Sequence, residues 1–232
     1  MIETLTALLF GHILADFVLQ TSWIAANKRR LPALLLHGLI VLAATQAATG
    51  RFEAPELLVL TLAHIGIDFA KTRICPTGLT GYLADQAAHL ISLVALALWS
   101  PDLYASGLWA SQPEMPRAMA YVGGAILTIR AGGFAVGELM RDYQHAALPE
   151  GLPNGGRVIG MLERSVIFLL VMVGQPAGIG FLIAAKSILR FDTASQNQHA
   201  SEYVIIGTLA SFAWALAAAF ATLWFATVLT PS

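Results

Sequence analysis

Four histidines and three aspartates stand in stretches of sequence that are otherwise apolar. His12 and Asp16 lie four residues apart in Gly11-His12-Ile13-Leu14-Ala15-Asp16, His64 and Asp68 repeat that spacing, and Asp85 and His89 reverse it. His37 stands by itself in Leu34-Leu35-Leu36-His37-Gly38-Leu39-Ile40. A spacing of four puts both members of a pair on one face of a helix, and Lys71 extends the His64 and Asp68 stripe by a further turn. Ionisable groups are costly in hydrocarbon and face the protein interior or a water-filled cavity. One pair could satisfy itself, and a lone histidine such as His37 is usually a hydrogen-bonded core residue. Three pairs and a further histidine in four consecutive apolar segments exceed what helix packing requires, so we expect them to share one polar site.

Imidazole and carboxylate without thiolate suit zinc, manganese or iron better than magnesium or copper(I), with zinc or manganese the first choice. His12, Asp16, His37, His64, Asp68, Asp85 and His89 are the candidate ligands. Seven candidates allow either two metals or one metal whose ligands are oriented by the remaining residues. Two metals would share a bridging aspartate, Asp68 or Asp85, because these flank the short loop 72–81. A metal with an open position activates a bound water for attack on an electrophile, and an aspartate outside the coordination shell accepts the proton. This is hydrolase chemistry, with Asp68, Asp85 and Lys71 as the candidate catalytic residues.

A second charged cluster lies in the C-terminal third. Glu163 and Arg164 open one apolar stretch, Lys186 and Arg190 close the next, and Glu202 precedes the last. Lys186 and Arg190 could pair with Glu163 and Glu202; alternatively Arg164, Lys186 and Arg190 cradle a substrate phosphate, with Lys71 at the first cluster. The glycines of 123–137 and 174–180 read as packing devices that let helices approach closely. Glu138, His145 and His199 lie in or beside loops and are assigned no chemistry.

The elements that must position these groups are membrane helices. The 232 residues are 57% hydrophobic and only 12% charged, with a mean hydropathy of +0.69, about half the charge of an ordinary soluble domain. The formal charge of −1 excludes a broad basic face for nucleic acid, and the single Cys75 excludes an internal disulfide and a thiolate metal cluster. The start of the chain, with Glu3 in place of positive charge, does not read as a cleaved signal. Apolar windows at 4–25, 33–49, 56–71, 82–99, 118–137 and 203–229 approach the length of a span. The run 158–191 is broken at Gly174-Gln175-Pro176 into a pair of short or re-entrant halves. The expectation is an all-α, polytopic transmembrane helical bundle, 1–232 as a single transmembrane domain, with seven or eight membrane elements. Lys28, Arg29, Arg30, Lys71, Arg73, Arg141, Arg157, Lys186 and Arg190 fall on one side, against Arg51 and Arg117 on the other. That bias places both termini outside and the His and Asp residues toward the cytoplasmic leaflet.

Together, GHILADFVLQTSWIAANKR, LLLHGLI, AHIGIDFAKTR, DQAAHL, IGMLERSVIFLL, GQPAGIGFLIAAKSILRF and EYVIIGTLASF resemble the bacterial integral-membrane family catalogued as domain of unknown function 3307. The resemblance covers most of the chain except 100–157. It implies a multi-pass protein of the bacterial inner (cytoplasmic) membrane and carries no activity, substrate or cofactor. The early His and Asp motifs also resemble those of membrane-bound metal-dependent hydrolases. Three functions follow from the residues. The first is a divalent-metal-dependent hydrolase at the cytoplasmic leaflet, acting on a phosphorylated or ester-linked lipid or another small molecule. The second is a transporter or channel that uses the same cluster for a cation or protons. The third is a non-catalytic scaffold with a buried polar network.

Overall fold

The structure, a computed structural model, describes the backbone of residues 1–74, 77–143, 152–194 and 198–229, and all of their side chains except those of 189–194. Every regular element among the described residues is helical. Five helical stretches are long and apolar enough to cross a membrane: Ile2–Leu19, Leu31–Thr49, Leu79–Trp99, Met115–Tyr143 and Gln198–Val228. They carry exposed leucines, isoleucines and aromatics, including Leu39, Ile91, Leu98 and Leu209, as expected of a surface that meets lipid.

The chain divides into two compact units, Met1–Ile126 with Phe225–Ser232, and Leu127–Trp224. In the first, α1 (Ile2–Leu14) continues into a π-helical turn (Ala15–Leu19), so the window expected at 4–25 ends at Leu19. A separate short helix α2 (Ser22–Asn27) follows, started by the Thr21 hydroxyl accepting from the Ile24 N–H at 3.2 Å, the usual N-cap device. Then come α3 (Leu31–Thr49), α4 (Pro55–Ile74), α5 (Leu79–Trp99) and α6 (Met115–Ile126). Helix α1 packs on α3, α5 and α6, and α4 lies between α3 and α5. The 20-residue α4 is the least apolar of the four central helices because it carries Glu56, His64, Asp68, Lys71 and Arg73.

The inward face of each central helix changes character along its length. Leu57 and Leu60 precede His64 and Asp68 on α4; Leu93 and Leu96 follow Asp85 and His89 on α5; Leu8 precedes His12 and Asp16 on α1. All are buried. Because α4 and α5 are antiparallel, the apolar turns meet at one end, where Leu8, Ala54, Leu57, Leu60, Leu93, Leu96, Ala97 and Leu103 form one core, and the polar turns meet at the other. The apolar end is closed by the 100–114 connection. Thr4 Oγ1 donates to Pro101 O at 2.7 Å, Trp109 Nε1 donates to Ala47 O at 2.8 Å, and Leu108 N–H donates to Gly50 O at 3.1 Å. Tyr104 is buried in this cap and donates its hydroxyl to Trp109 O. Burial and the Glu3 carboxylate push its phenol above the ordinary value, so the proton needed for that bond is retained.

Close approach of α1 and α3 depends on Gly11: a Cβ there would meet Thr45 Cα at 2.9 Å. Gly11→Ala is therefore expected to cost about 1–3 kcal/mol through overpacking. Gly66→Ala, with nothing within 4 Å of its Cβ, should be neutral or slightly stabilising, as helix propensity predicts. Thermal unfolding of the two variants in detergent checks this contrast.

In the second unit a π-helical turn (Leu127–Ala131) leads into α7 (Gly132–Met140), followed by α8 (Gly155–Met172), α9 (Gly178–Ala194) and α10 (Gln198–Val228). The expected break is present: α8 ends at Met172, Gly174 adopts φ +71°, and α9 starts at Gly178. Only glycine takes that backbone conformation without strain. Ile167, Val171, Ile179, Phe212, Ala215 and Ala219 form the core of this unit.

Candidate metal centre

All seven His and Asp residues singled out by spacing lie buried in one pocket of the first unit, at 0–8% exposure. The π-helical turn of α1 brings Asp16, α3 brings His37, α4 brings His64 and Asp68, and α5 brings Asp85 and His89. His12 enters from α1, with its ring 5.5 Å from that of His64 and 5.0 Å from that of His89. Two of the three expected pairs do meet on their own helices: His64 Nε2 lies 3.4 Å from Asp68 Oδ2 and His89 Nε2 lies 3.5 Å from Asp85 Oδ1. Asp16 departs from the simple i, i+4 expectation. It sits where α-helix gives way to the wider π-helical turn, and its Oδ1 reaches across to His37 Nε2 at 3.1 Å and His64 Nε2 at 3.5 Å. Such π turns are frequent at functional sites.

Asp16 Oδ1, His37 Nε2 and His64 Nε2 form a triangle, since the two imidazole nitrogens are themselves 3.1 Å apart. Ligand atoms about 2.0–2.1 Å from a tetrahedral zinc are about 3.3–3.4 Å from one another, so the triangle has the size of one face of such a coordination shell. Two further sets, His12 with His64 and His89, and Asp68 with Asp85 and His89, also bring ligand atoms within 4.8 Å of one another. The pocket thus holds three groups of side chains spaced to receive a metal ion. Of the two aspartates expected to bridge, Asp68 has the suitable geometry: Oδ2 faces His37 at 3.5 Å and His64 at 3.4 Å, and Oδ1 faces His89 at 4.0 Å. Asp85 faces His89 alone, and its other oxygen accepts from Lys71 at 2.5 Å and Gln86 at 3.0 Å.

Several buried atoms of the pocket have no hydrogen-bond partner among the described residues: Nδ1 of His12, His37 and His89, Nε2 of His89, and Oδ1 of Asp85. An unpaired buried polar atom costs about 1–3 kcal/mol. These are atoms that an ion or ordered water could satisfy.

Sequence reasoning missed Lys28. It reads as one of three consecutive basic residues on a connecting loop, yet it is buried, and its Nζ donates to both oxygens of Asp68 at 2.8 Å. Its signal is slight: Lys28 is the residue that ends the short helix α2, which packs on α3. Lys71, whose side chain is 35% exposed, is the less buried of the two lysines paired with aspartates of this cluster.

The residues expected to cradle a phosphate are held by their own neighbours in the second unit. Arg164 Nε donates to Ile129 O of the π-helical turn at 3.0 Å, and its Nη1 donates to Ser211 Oγ at 2.9 Å. Lys186 pairs with Glu163 at 2.7 Å. The side chain of Arg190, like Cys75 and His145, lies outside the described residues.

No curated protein and no solved structure shows a significant match to the chain. The family model described as a protein of unknown function, DUF3307, matches residues 4–112. The motifs of the C-terminal third lie outside that match, whereas the four central helices and every His and Asp of the pocket lie inside it. Over residues 4–112 the chain is similar to the DUF3307 family.

Proposed function

We propose that this protein is a membrane-embedded, divalent-metal-dependent hydrolase that works at the cytoplasmic leaflet of a bacterial inner membrane on a phosphorylated or ester-linked lipid. The observation that carries the reading is the triangle of Asp16 Oδ1, His37 Nε2 and His64 Nε2, with edges of 3.1–3.5 Å drawn from three separate helices. Three protein ligands with a fourth position left open is the pattern of catalytic rather than structural zinc; zinc or manganese fits this donor set. Such an ion, when bound, would activate water for attack on a phosphoryl or carbonyl centre. Asp85, one of whose buried oxygens has no hydrogen-bond partner among the described residues, is suited to accept the proton, and the partly exposed Lys71 is suited to meet an anionic substrate. Because Arg164 and Lys186 are committed to internal partners, they are left out of the substrate side.

Membrane placement follows the same reading. Helix α4 and the α8 and α9 pair join the five long apolar helices in the bilayer, giving eight elements with both termini outside. Hydrolysis is favoured over permeation because the apolar core around Leu57 and Leu93 and the 100–114 cap fill the far end of the first unit. One observation favours the second reading: the rings of His37, His64 and His89 succeed one another at 5.1 and 4.1 Å, a spacing suited to proton relay in a transporter.

Metal analysis of protein purified in detergent without chelators is the direct test. We expect at least one equivalent of zinc or manganese per chain, its loss in Asp16→Asn, and a fall in Tm on chelation; an ion held at 100 times its Kd contributes about 2.7 kcal/mol. Lipid hydrolysis that stops on chelation supports the enzyme. Proton flux into liposomes without lipid turnover supports the relay. A folded, metal-free protein whose Tm ignores chelators would reject both metal and enzyme, leaving the relay or the scaffold.

A further inference from the structure

The pocket contains two built-in cations, and they are distributed unevenly over its three carboxylates. Lys28 Nζ sits 2.8 Å from both oxygens of Asp68, and Lys71 Nζ sits on Oδ2 of Asp85. Among the described residues no ammonium group lies within ion-pair distance of Asp16; at that distance it meets the imidazoles of His37 and His64. With neutral histidines, three carboxylates and two ammonium groups leave one negative charge in the pocket, and it resides on Asp16.

This distribution separates the ligand groups. A divalent ion on Asp16, His37 and His64 meets the one carboxylate not already neutralised, and the pocket as a whole then carries a single positive charge. A second divalent ion on Asp68, Asp85 and His89, with both lysines in place, raises that to three positive charges in a buried volume, where uncompensated charge is strongly disfavoured. The second group is nonetheless built as a cation site. Asp85 Oδ1 and His89 Nε2 face each other at 3.5 Å, both at least nine-tenths buried and both without a hydrogen-bond partner among the described residues.

We infer that the pocket takes one divalent cation, on Asp16, His37 and His64, and that Lys28 and Lys71 hold the place of a second on Asp68, Asp85 and His89. The inference rests on the metal reading above and deepens it by specifying how many ions bind and what excludes another. An ammonium group and a divalent ion compete for the same carboxylate oxygens, so removing an ammonium should open the second position to metal.

The experiment is metal stoichiometry by mass spectrometry and by calorimetric titration of metal-stripped protein with zinc. Wild type is expected to bind one equivalent, Lys28→Met and the Lys28→Met/Lys71→Met double variant to approach two, and Lys28→Arg, which keeps the positive charge, to stay near one. Lys71→Met alone, at the half-exposed edge, perturbs folding least and should show a weaker second binding step. Thermal melting with added zinc gives a second readout, in which the methionine variants gain more Tm than wild type. Two equivalents in wild type, or one in every folded methionine variant, would overturn the inference while leaving the metal reading intact. No zinc in wild type or in any variant would overturn the metal reading itself, and this inference with it.

Discussion

Replacing His64 by alanine should lower zinc affinity by at least about 100-fold, the upper end of what removal of even an orienting partner produces at a metal site. His64 belongs to two of the three ligand groups, its Nε2 lies within 3.5 Å of His37, Asp16 and Asp68, and its ring is 4.1 Å from that of His89. His12→Ala removes a residue that belongs to one group only and touches the others through ring contacts, so its effect should be clearly smaller. Competition with a chromophoric chelator measures both variants under the same conditions. Equal losses would mean that His64 has no special place in the pocket, and no loss in either would mean that the ion, if present, binds elsewhere.

The second large effect concerns stability. Asp68→Ala should destabilise the protein by about 3–5 kcal/mol, because it strands the buried Lys28 ammonium without its carboxylate. Lys28 is the more informative partner: its side chain is only 10% exposed, and both of its carboxylate contacts come from Asp68. Combining Asp68→Ala with Lys28→Met removes the stranded charge and should recover a large part of the loss. A double-mutant cycle in denaturant or by calorimetry reads the coupling directly. Simple additivity would show that the two charges do not depend on each other.

The convergence of the seven residues was legible because side-chain period and chain direction are both written in the sequence. His64 and Asp68 precede a short connection and Asp85 and His89 follow it, so antiparallel α4 and α5 have to bring them to the same end. The break at Gly174 was legible for a similarly local reason, since glycine and proline interrupt a helix wherever they occur together. What could not be read depended on neighbours far along the chain. The π-helical turn at Ala15–Leu19 brings Asp16 to His37 of α3 and His64 of α4, and no residue type announces a wider turn. Lys28 looked like a topogenic charge because it shares its loop with Arg29 and Arg30; only the fold decides which of three adjacent bases is drawn inside. The pairing of Lys186 with Glu163 was one of the two arrangements the spacing allowed, whereas Arg164 looked like part of an anion cradle because a carbonyl acceptor such as Ile129 O, exposed by a second π-helical turn, is invisible to composition. The windows expected at 33–49 and 82–99 lie close to Leu31–Thr49 and Leu79–Trp99, whereas Met115–Tyr143 and Gln198–Val228 run well beyond the windows expected at 118–137 and 203–229.

The cap over Leu8, Leu57 and Leu93, pinned by Thr4 and Trp109, fills the end of the first unit opposite the His and Asp cluster. On the hydrolase reading, reactant and product have to share one doorway, so a spent headgroup lingering there delays the next turnover, and inhibition by product should be competitive.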